Sequence, residues 1–350
     1  MTPLRIVQVG MGRWGRDWAR LLSQHPELVQ PVAYVDLAPA MLAQLQADNG
    51  VDAERCFLSL ADALQAVDAD AVLITTALGG HVPTALEALE AGKHVLVEKP
   101  FAPSLAEGRR VVELAARRGL TLMVSQNYRF FPAARTVAAL IREGSLGPVG
   151  GVSIHFRKYA NAAPPGTNWH YQLRQPLLED MSIHHFDLMR FVLGHEPQVV
   201  TCHAWNPPWS NFRDPASAAA IIRFTGGAVV DYRGSWVSTG VPTLWSGDWQ
   251  IECAEGVISW SSRDDSGTAS DAVTIRMRGK RSRRVPLPEL LYPDRVGVVE
   301  AFATAIRDRS EPQTSGRDNL GSLALMFAAI ESARCGLPQT LNTHPGTLSA

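Results

Sequence analysis

Apolar and polar positions alternate with two different periods over the first 125 residues. Short apolar runs predict buried strands, and apolar positions three or four residues apart predict helices between them. The strands are expected at Arg5–Val9, Pro31–Val35, Ala71–Thr75, His94–Val97 and Thr121–Ser125. The helices are expected at Trp14–Ser23, Pro39–Asp48, Leu60–Val67, Thr84–Glu90 and Leu105–Arg118. This alternation predicts an α/β fold with a doubly wound parallel sheet.

After Ser125 the pattern changes to one of longer helices and turn-punctuated strands. Helices are expected at Ala133–Glu143, Leu177–Leu193, Val296–Arg309 and Asn319–Arg334. Strand patterns cover Val152–Arg157 and much of the chain from Gln198 to Met277. This order predicts a second, α+β domain with a large, open, mostly antiparallel sheet. We therefore divide the chain into domains at residues 1–125 and 126–340.

A glycine-rich turn, Gly10-x-Gly12-x-x-Gly15, lies between the first predicted strand and the first predicted helix. In that setting the glycines allow a tight turn, a close approach to a pyrophosphate, and close packing of helix on strand. The helix N-terminus then offers unpaired N–H groups to the phosphates. The first domain is therefore predicted to be a dinucleotide-binding Rossmann domain. Arg13 and Trp14 in this turn are counted among the cofactor contacts, with packing against the sheet as the alternative role of Trp14.

The second predicted strand is followed by Asp36, 21 residues beyond Gly15. A carboxylate at this place accepts hydrogen bonds from the adenosine ribose and repels a 2′-phosphate. No basic residue follows at once, so NAD is favoured over NADP as the cofactor. The alternative is that Asp36 only caps the next helix.

Composition excludes several classes of protein. The chain has 350 residues and a formal net charge of −1, so no overall field attracts nucleic acid or a membrane surface. No apolar run reaches membrane-spanning length and no secretory signal is visible, which favours a cytoplasmic protein. Four scattered cysteines argue against a disulfide framework or a thiolate metal site. The basic segment 276–284 is interpreted as a solvated hairpin.

Further motifs resemble those of the glucose–fructose oxidoreductase / inositol dehydrogenase / rhizopine-catabolism family of oxidoreductases. They are Thr75-Thr76-Ala77, His81, Glu98-Lys99-Pro100, Asn127-Tyr128-Arg129-Phe130, Glu179-Asp180-x-x-x-His184-x-x-Asp187 and Thr314-Ser-Gly-Arg-Asp318. The tripeptide Glu98-Lys99-Pro100 at the end of a strand is the most specific of them. The resemblance extends over most of the chain.

The resemblance implies an enzyme that moves a hydride between a secondary alcohol of a sugar, cyclitol or related polyol and a nicotinamide. It implies catalytic roles for Lys99, Asp180 and His184. The residues assigned to the cofactor are Gly10, Gly12, Arg13, Trp14, Gly15, Asp36, Thr75, Thr76, His81, Glu98 and Lys99. Those assigned to the substrate are Tyr128, Trp169, His170 and Arg174. A homodimer or homotetramer formed through the sheet of the second domain is also implied.

The chemistry of the three catalytic candidates agrees with that assignment. On an α-helix Asp180 and His184 share a face, and an imidazole titrates near neutrality, as a general base must. The Lys99 ammonium can stabilise a developing alkoxide. The alternatives are a surface ion pair of Lys99 with Glu98 and a packed, structural His184. A zinc site at His170, Asp180 and His184 is disfavoured, and no metal is expected.

Two other functions stay open beside the dehydrogenase. One is an NAD-dependent glycosidase that oxidises the sugar transiently and eliminates the aglycone. The other is a ligand-sensing regulator that has kept the fold without turnover. The retained Lys99, Asp180 and His184 count against the sensor, since a sensor has no need of acid–base residues. The identity of the substrate and the direction of the reaction are not indicated.

Overall fold

The computed structural model describes residues 2–341. Packing divides the chain into two units. Of the described residues, the first unit contains 2–127 together with Arg295–Leu320, and the second contains Tyr128–Asp294 together with 321–341. The predicted single boundary after residue 125 thus lies next to the first crossing at Asn127. A later segment returns to the first unit, which the sequence pattern did not indicate.

The first unit is built on a six-stranded parallel sheet in the order β3-β2-β1-β4-β5-β6. Its strands are β1 (Leu4–Val9), β2 (Val29–Val35), β3 (Cys56–Phe57), β4 (Ala71–Ile74), β5 (His94–Val97) and β6 (Leu122–Val124). The helices between them are α1 (Arg13–Ser23), α2 (Pro39–Asn49), α3 (Leu60–Ala66), α4 (Leu78–Glu90) and α5 (Leu105–Arg118). The predicted doubly wound parallel sheet is confirmed, because this order reverses direction between β1 and β4.

Local signals placed most of these elements within a few residues. Ser104 caps α5 by accepting a hydrogen bond from the Glu107 amide at 3.2 Å, as the capping box predicts. Helix α4 begins six residues before its predicted start at Thr84, because it tolerates two glycines and Pro83 in its first turns. Strand β3 was not predicted, since two residues are too short to show a period.

The returning segment packs with the first unit through strand β6. The Val124 amide donates to the Thr314 carbonyl at 2.8 Å, and the Thr314 hydroxyl donates back to the Val124 carbonyl at 2.7 Å. Helix α8 (Asp294–Asp308) precedes this contact and α9 (Gly316–Cys335) follows it. A hydrogen bond between residues 190 positions apart leaves no trace in local periodicity, so the sequence pattern did not indicate that α8 and the first residues of α9 belong to the first unit.

The second unit is built on a nine-stranded sheet in the order β14-β13-β12-β11-β7-β10-β9-β8-β15. Its strands are β7 (Val149–Arg157), β8 (Pro197–Trp205), β9 (Ser217–Phe224), β10 (Val229–Ser235), β11 (Asp248–Cys253), β12 (Gly256–Ser261), β13 (Ala272–Met277), β14 (Arg283–Arg284) and β15 (Gln339–Thr340). Only β7 and β10 pair in parallel, so the predicted mostly antiparallel sheet is confirmed. The basic segment 276–284 falls on the hairpin of β13 and β14, as expected.

Two helices of this unit come before β8 in the chain. They are α6 (Pro132–Glu143), which packs on β12 and β13, and α7 (Ser182–Leu193), whose Phe186 ring contacts Tyr232 on β10. The single helix predicted at Leu177–Leu193 is wrong in its first third, since residues Pro176–Met181 form a π-helical turn. A π turn and an α turn differ by less than one residue per turn, so a short window of apolar positions does not distinguish them. Among the described residues, no helix is long and apolar enough to cross a membrane.

Candidate functional site

The glycine turn of the first unit has the geometry of a phosphate cradle. Gly10 has a φ of +97°, and a Cβ on Gly15 would lie 1.8 Å from the Gly10 carbonyl oxygen, so both positions require glycine. A Cβ on Gly12 would meet nothing within 4 Å, so the space above that residue is open. Helix α1 begins at Arg13 with no side chain capping it. Its first N–H groups therefore remain available to a dinucleotide phosphate, which the turn fits.

A buried polar network supports this turn from below. The Thr75 hydroxyl donates to the Gly10 carbonyl at 2.7 Å. Gln8 of β1 donates through Nε2 to the Gly15 carbonyl at 2.7 Å and to the Thr75 hydroxyl at 3.2 Å. Thr75 was assigned to the cofactor, and its hydroxyl here braces the loop that would hold it. Sequence reasoning missed Gln8, which is fully buried. The available signal was a polar amide within the apolar run of β1.

Asp36 lies at the end of β2 and holds the same loop. One of its carboxylate oxygens accepts from the Met11 amide at 2.7 Å, and the other accepts from the Ala38 amide at 2.9 Å. The second bond forms an Asx turn before α2 and is not a helix cap, since Ala38 is the N-cap residue and no side chain caps this helix. Each carboxylate oxygen has a further lone pair, so the two bonds leave acceptor capacity for ribose hydroxyls.

Lys99 lies in the turn after β5, and hydrogen bonds hold the residue before it, Glu98, in place. Glu98 is 5 % exposed, and its carboxylate accepts from the Trp18 indole N–H at 2.8 Å and from the Lys99 amide at 3.2 Å. Arg295 of the returning segment lies over Trp18 and over the exposed Trp14, at 5.1 Å and 4.4 Å from their ring centroids. Glu98 therefore anchors the turn that carries Lys99. The part played by Arg295 was missed, because it depends on the return of residues 295–320.

His81 joins the loop after β4 to the same turn. Its ring nitrogens lie 2.9 Å from the Pro100 carbonyl and 3.1 Å from the Thr76 carbonyl. Burial lowers the pKa of His81, against the hydrogen bonds to these carbonyls, which raise it. Among the residues assigned to the cofactor, Gly12, Arg13 and Trp14 are exposed, whereas Thr75, His81 and Glu98 are buried supports.

In the second unit the His184 ring lies flat on the ring of Tyr128. The centroids are 4.2 Å apart and the planes differ by 7°. The Tyr128 hydroxyl accepts from Arg263 Nη1 at 2.7 Å, and burial raises the pKa of Tyr128 to about 12. The Arg263 charge lowers that pKa, whereas the charges of Asp294 and Asp180 raise it. Tyr128, which was assigned to the substrate, is 3 % exposed, and one of its contacts is the ring of His184.

The structure changes the local argument for Asp180. It belongs to the π turn and not to the α-helix that carries His184, so the i, i+4 spacing on one α-helix does not apply. Its carboxylate lies 3.8 Å from His170 Nε2. Trp169, 69 % exposed, and Arg174, also exposed, lie on the surface nearby in sequence. Within residues 2–341, no group of three or more His, Cys, Asp or Glu side chains is arranged to hold a metal ion.

Behind His184, helix α7 is anchored by a buried ion pair. Arg129 donates to both carboxylate oxygens of Asp187 at 2.6 Å, and their side chains are 4 % and 1 % exposed. The Ser322 hydroxyl donates to the same carboxylate at 2.8 Å. Both residues of the pair stood inside motifs noted in the sequence, but their pairing across 58 positions did not follow from it.

His185, next to His184, has a different environment. It is fully buried, with its ring nitrogens 3.0 Å from the Tyr232 hydroxyl and 2.9 Å from the Trp245 carbonyl. A neutral ring satisfies both partners by donating to the carbonyl and accepting from the hydroxyl. Burial lowers the pKa of His185 to about 4, although the bond to Trp245 raises it. His185 is therefore a structural histidine.

This environment predicts a loss of stability in mild acid. In the unfolded chain His185 takes up a proton below its ordinary pKa of 6.5, whereas the folded protein resists until about 4. The contribution of neutral His185 to the free energy of unfolding is thus fully present above pH 6.5 and is lost as the pH falls toward 4. The loss is about 2 kcal/mol at pH 5. Urea unfolding at pH 7 and pH 5 measures it. His185→Gln is expected to lose less stability than the parent over this interval, and equal losses would contradict the prediction.

Comparison with known proteins agrees with both units. Residues 4–126 match the family model described as "Oxidoreductase family, NAD-binding Rossmann fold", and residues 134–259 match the "GFO/IDH/MocA C-terminal domain". The two matches together cover more than half of the chain. The protein belongs to this oxidoreductase family. Its first unit is an NAD-binding Rossmann domain, and the geometry of the glycine turn fits that cofactor.

The relatives of this family member include dehydrogenases of sugars and cyclitols. A D-apiose dehydrogenase from Paraburkholderia graminis is 29 % identical over 81 % of this chain and 76 % of its own. An inositol 2-dehydrogenase from Rhizobium meliloti is 28 % identical over 94 % of this chain and 96 % of its own. The crystal structure of an inositol dehydrogenase homologue complexed with NAD+ from Azotobacter vinelandii has a TM-score of 0.84 at 20 % identity, covering 97 % of this chain and 98 % of that one.

Proposed function

We propose that this protein is an NAD-dependent dehydrogenase that acts on a secondary alcohol of a sugar, cyclitol or related polyol. The observation that carries the proposal is the imidazole of His184, held flat on the buried ring of Tyr128. An oriented imidazole is suited to the removal of a hydroxyl proton. The family relationship supports the same reaction class.

The roles of the residues follow from their chemistry. Bound NAD supplies the acceptor for a hydride, with its phosphates on the Gly10–Gly15 turn and its ribose at Asp36. A ring nitrogen of His184 takes the proton of the substrate hydroxyl. The Asp180 carboxylate favours the imidazolium that results, and the Tyr128 stack keeps the ring in one orientation. The Lys99 ammonium, at the carboxyl end of β5, stabilises negative charge on the reacting oxygen.

Two alternative functions are separated from this one by their use of the cofactor. A glycosidase that oxidises the sugar transiently would cleave a glycoside while NADH does not accumulate. A sensor would bind ligand with no turnover. The acid–base set of Lys99, Asp180 and His184 favours a catalyst over a sensor, because a binding protein gains nothing from it.

The test is a panel of sugars, cyclitols, sugar acids and glycosides with NAD, followed by absorbance of NADH and by analysis of products. Net NADH with a free polyol is the expected result. Release of an aglycone at constant NADH would replace the dehydrogenase by the glycosidase. Ligand binding without NADH or cleavage across the panel would favour the sensor.

The preference for NAD is expected to depend on Asp36. Removing its carboxylate in Asp36→Ala removes the repulsion of a 2′-phosphate, so the ratio of NADPH to NADH affinity should rise by at least ~10-fold, the value of one charged hydrogen bond. Fluorescence titration with both cofactors measures the ratio. Asp52→Ala, an exposed carboxylate of the same unit, is the control and should leave it unchanged. Tighter binding of NADPH than NADH by the parent protein would overturn the assignment.

Oligomeric state and location in the cell stay predictions. A homodimer or homotetramer through the sheet of the second unit is expected, and light scattering during gel filtration measures the mass directly. A monomer at micromolar concentration would contradict it. Nucleic acid and membranes are not expected as partners, and a cytoplasmic location is expected from the sequence.

A further inference from the structure

Two basic side chains of the second unit flank the ring of Trp245. Lys158 Nζ lies 4.3 Å from the ring centroid, and the Arg263 guanidinium carbon lies 5.6 Å from it. Lys158 follows β7 directly, and Arg263 follows β12 after one intervening residue. Both side chains are partly exposed, so a solute can reach them. We call Lys158, Trp245 and Arg263 the basic cluster.

Aromatic rings connect the basic cluster to the proposed acid–base residues. Arg263 lies 4.7 Å from the ring centroid of Tyr128 and donates to its hydroxyl. Tyr128 in turn stacks on the ring of His184. A second path leads from Trp245 to Trp236 at 6.0 Å and on to His170 at 5.0 Å, whose ring lies 3.8 Å from the Asp180 carboxylate. The basic cluster is thus connected to His184 through the Tyr128 ring, and to Asp180 through Trp236 and His170.

The backbone at Arg263 is held in a conformation that needs support. Its φ is +63°, in the left-handed region that a non-glycine residue adopts at a cost. The Arg263 amide donates to the Asp271 carboxylate at 2.8 Å, and its carbonyl accepts from the Trp245 amide at 2.9 Å. These two bonds hold the backbone of Arg263, and the bond from Nη1 to the Tyr128 hydroxyl holds its guanidinium. A positioned guanidinium is suited to a ligand with a planar or tetrahedral anion.

An exposed carboxylate, Asp265, lies beside the basic cluster and accepts from the Trp245 indole N–H at 2.7 Å. Burial lowers the pKa of Lys158; the Asp265 charge raises it and the Arg263 charge lowers it further. Two cations close enough to influence each other are stabilised together by an anion that contacts both. Arg263 has further N–H donors beyond the one that it gives to Tyr128.

We propose that the basic cluster is a substrate subsite for an anionic group, a carboxylate or a phosphate carried by the polyol. This inference rests on the proposed function, because it names the substrate class of the same site. Lys158 and Arg263 bind the anion, Trp245 packs against the carbon chain next to it, and the reacting hydroxyl lies toward His184. The substrate is accordingly a sugar acid or a sugar phosphate and not a neutral polyol. Neither Lys158, Trp245 nor Arg263 was singled out by sequence reasoning.

The experiment compares binding of D-gluconate, D-glucose 6-phosphate and the neutral D-sorbitol by calorimetry, with the protein saturated by NADH so that no oxidation occurs. The parent protein is expected to bind at least one anion at least ~10-fold more tightly than sorbitol, the value of one charge-assisted hydrogen bond. In Lys158→Met that ratio should fall by ~10-fold or more, and Lys158→Arg should restore most of it. Lys280→Met, which removes an exposed lysine of the same unit, is the control and should leave the ratio unchanged.

The pattern of affinities decides between the sources of the anion. A preference for gluconate identifies a carboxylate, and a preference for glucose 6-phosphate identifies a phosphate. Equal affinity of the parent for the anions and sorbitol, or an equal loss for all three in Lys158→Met, overturns the subsite. Net NADH from neutral polyols in the panel would leave the proposed function standing without the subsite. Preferential anion binding with no NADH from any compound would support the subsite and contradict the proposed function.

Discussion

Replacement of His184 by alanine, or of Lys99 by alanine, is expected to lower turnover at least ~100-fold, the usual contribution of a general acid or base. In the proposed mechanism, the first change removes the nitrogen that takes the hydroxyl proton. The second removes the charge that stabilises the reacting oxygen of the substrate. NADH binding should persist, because neither side chain belongs to the glycine turn or to Asp36. Steady-state rates with the substrate found in the panel, together with fluorescence titration of NADH, measure both quantities.

A second variant separates chemistry from packing at this site. His184→Phe keeps an aromatic ring on Tyr128, where the present centroids are 4.2 Å apart, but has no ring nitrogen. It should therefore lose as much turnover as His184→Ala while keeping the stability of the parent. The exposed His203→Ala in the same unit is the control and should leave turnover unchanged. If His184→Phe kept the parent's rate, the role of His184 would be packing and the proton would go elsewhere.

Replacement of Asp187 by alanine is expected to lower the free energy of unfolding by about 3–5 kcal/mol, because it leaves the Arg129 guanidinium buried without its carboxylate. The pair is bidentate at 2.6 Å, and both side chains are almost fully buried. Desolvation of the remaining charge makes the loss large. Urea unfolding measures it, and a loss below about 1 kcal/mol, the range of exposed pairs, would contradict it.

Two further variants show whether the cost comes from the stranded charge. Removing both partners, in Arg129→Met with Asp187→Leu, should cost less than Asp187→Ala alone, since no buried charge remains. Asp248→Ala breaks the more exposed pair with Arg157, whose side chains are 31 % and 52 % exposed, and should cost at most about 1 kcal/mol. A double variant as unstable as the single one would assign the cost to lost packing instead.

The first unit was largely determined by sequence, since its signals are local. Strand and helix periods, the cap at Ser104 and the turn at Gly10–Gly15 each depend on residues close together in the chain. Parallel strands with short connections then leave little choice of sheet order. Asp36 followed from the same local arrangement. The cofactor class could therefore be predicted before the fold was seen.

The environment of each chemical group was decided by tertiary structure. Tyr128 and His184 are 56 positions apart in the chain. Whether a histidine serves as a base or only as packing depends on the side chains that contact it. Its neighbour His185 has the same side chain in a different environment, between the Tyr232 hydroxyl and the Trp245 carbonyl. A single sequence does not contain the distances that separate these cases.

The sequence alone determined the parallel sheet and the nucleotide turn, because periodicity and turn chemistry are properties of neighbouring residues. The acid–base candidates came from the resemblance of its motifs to those of the family. Only the tertiary structure decided the return of residues 295–320, the π turn that carries Asp180, and the meeting of Lys158 with Arg263 at Trp245. These features depend on contacts between residues far apart in the chain. Such contacts are selected by packing and by desolvation of charge, which no local pattern records.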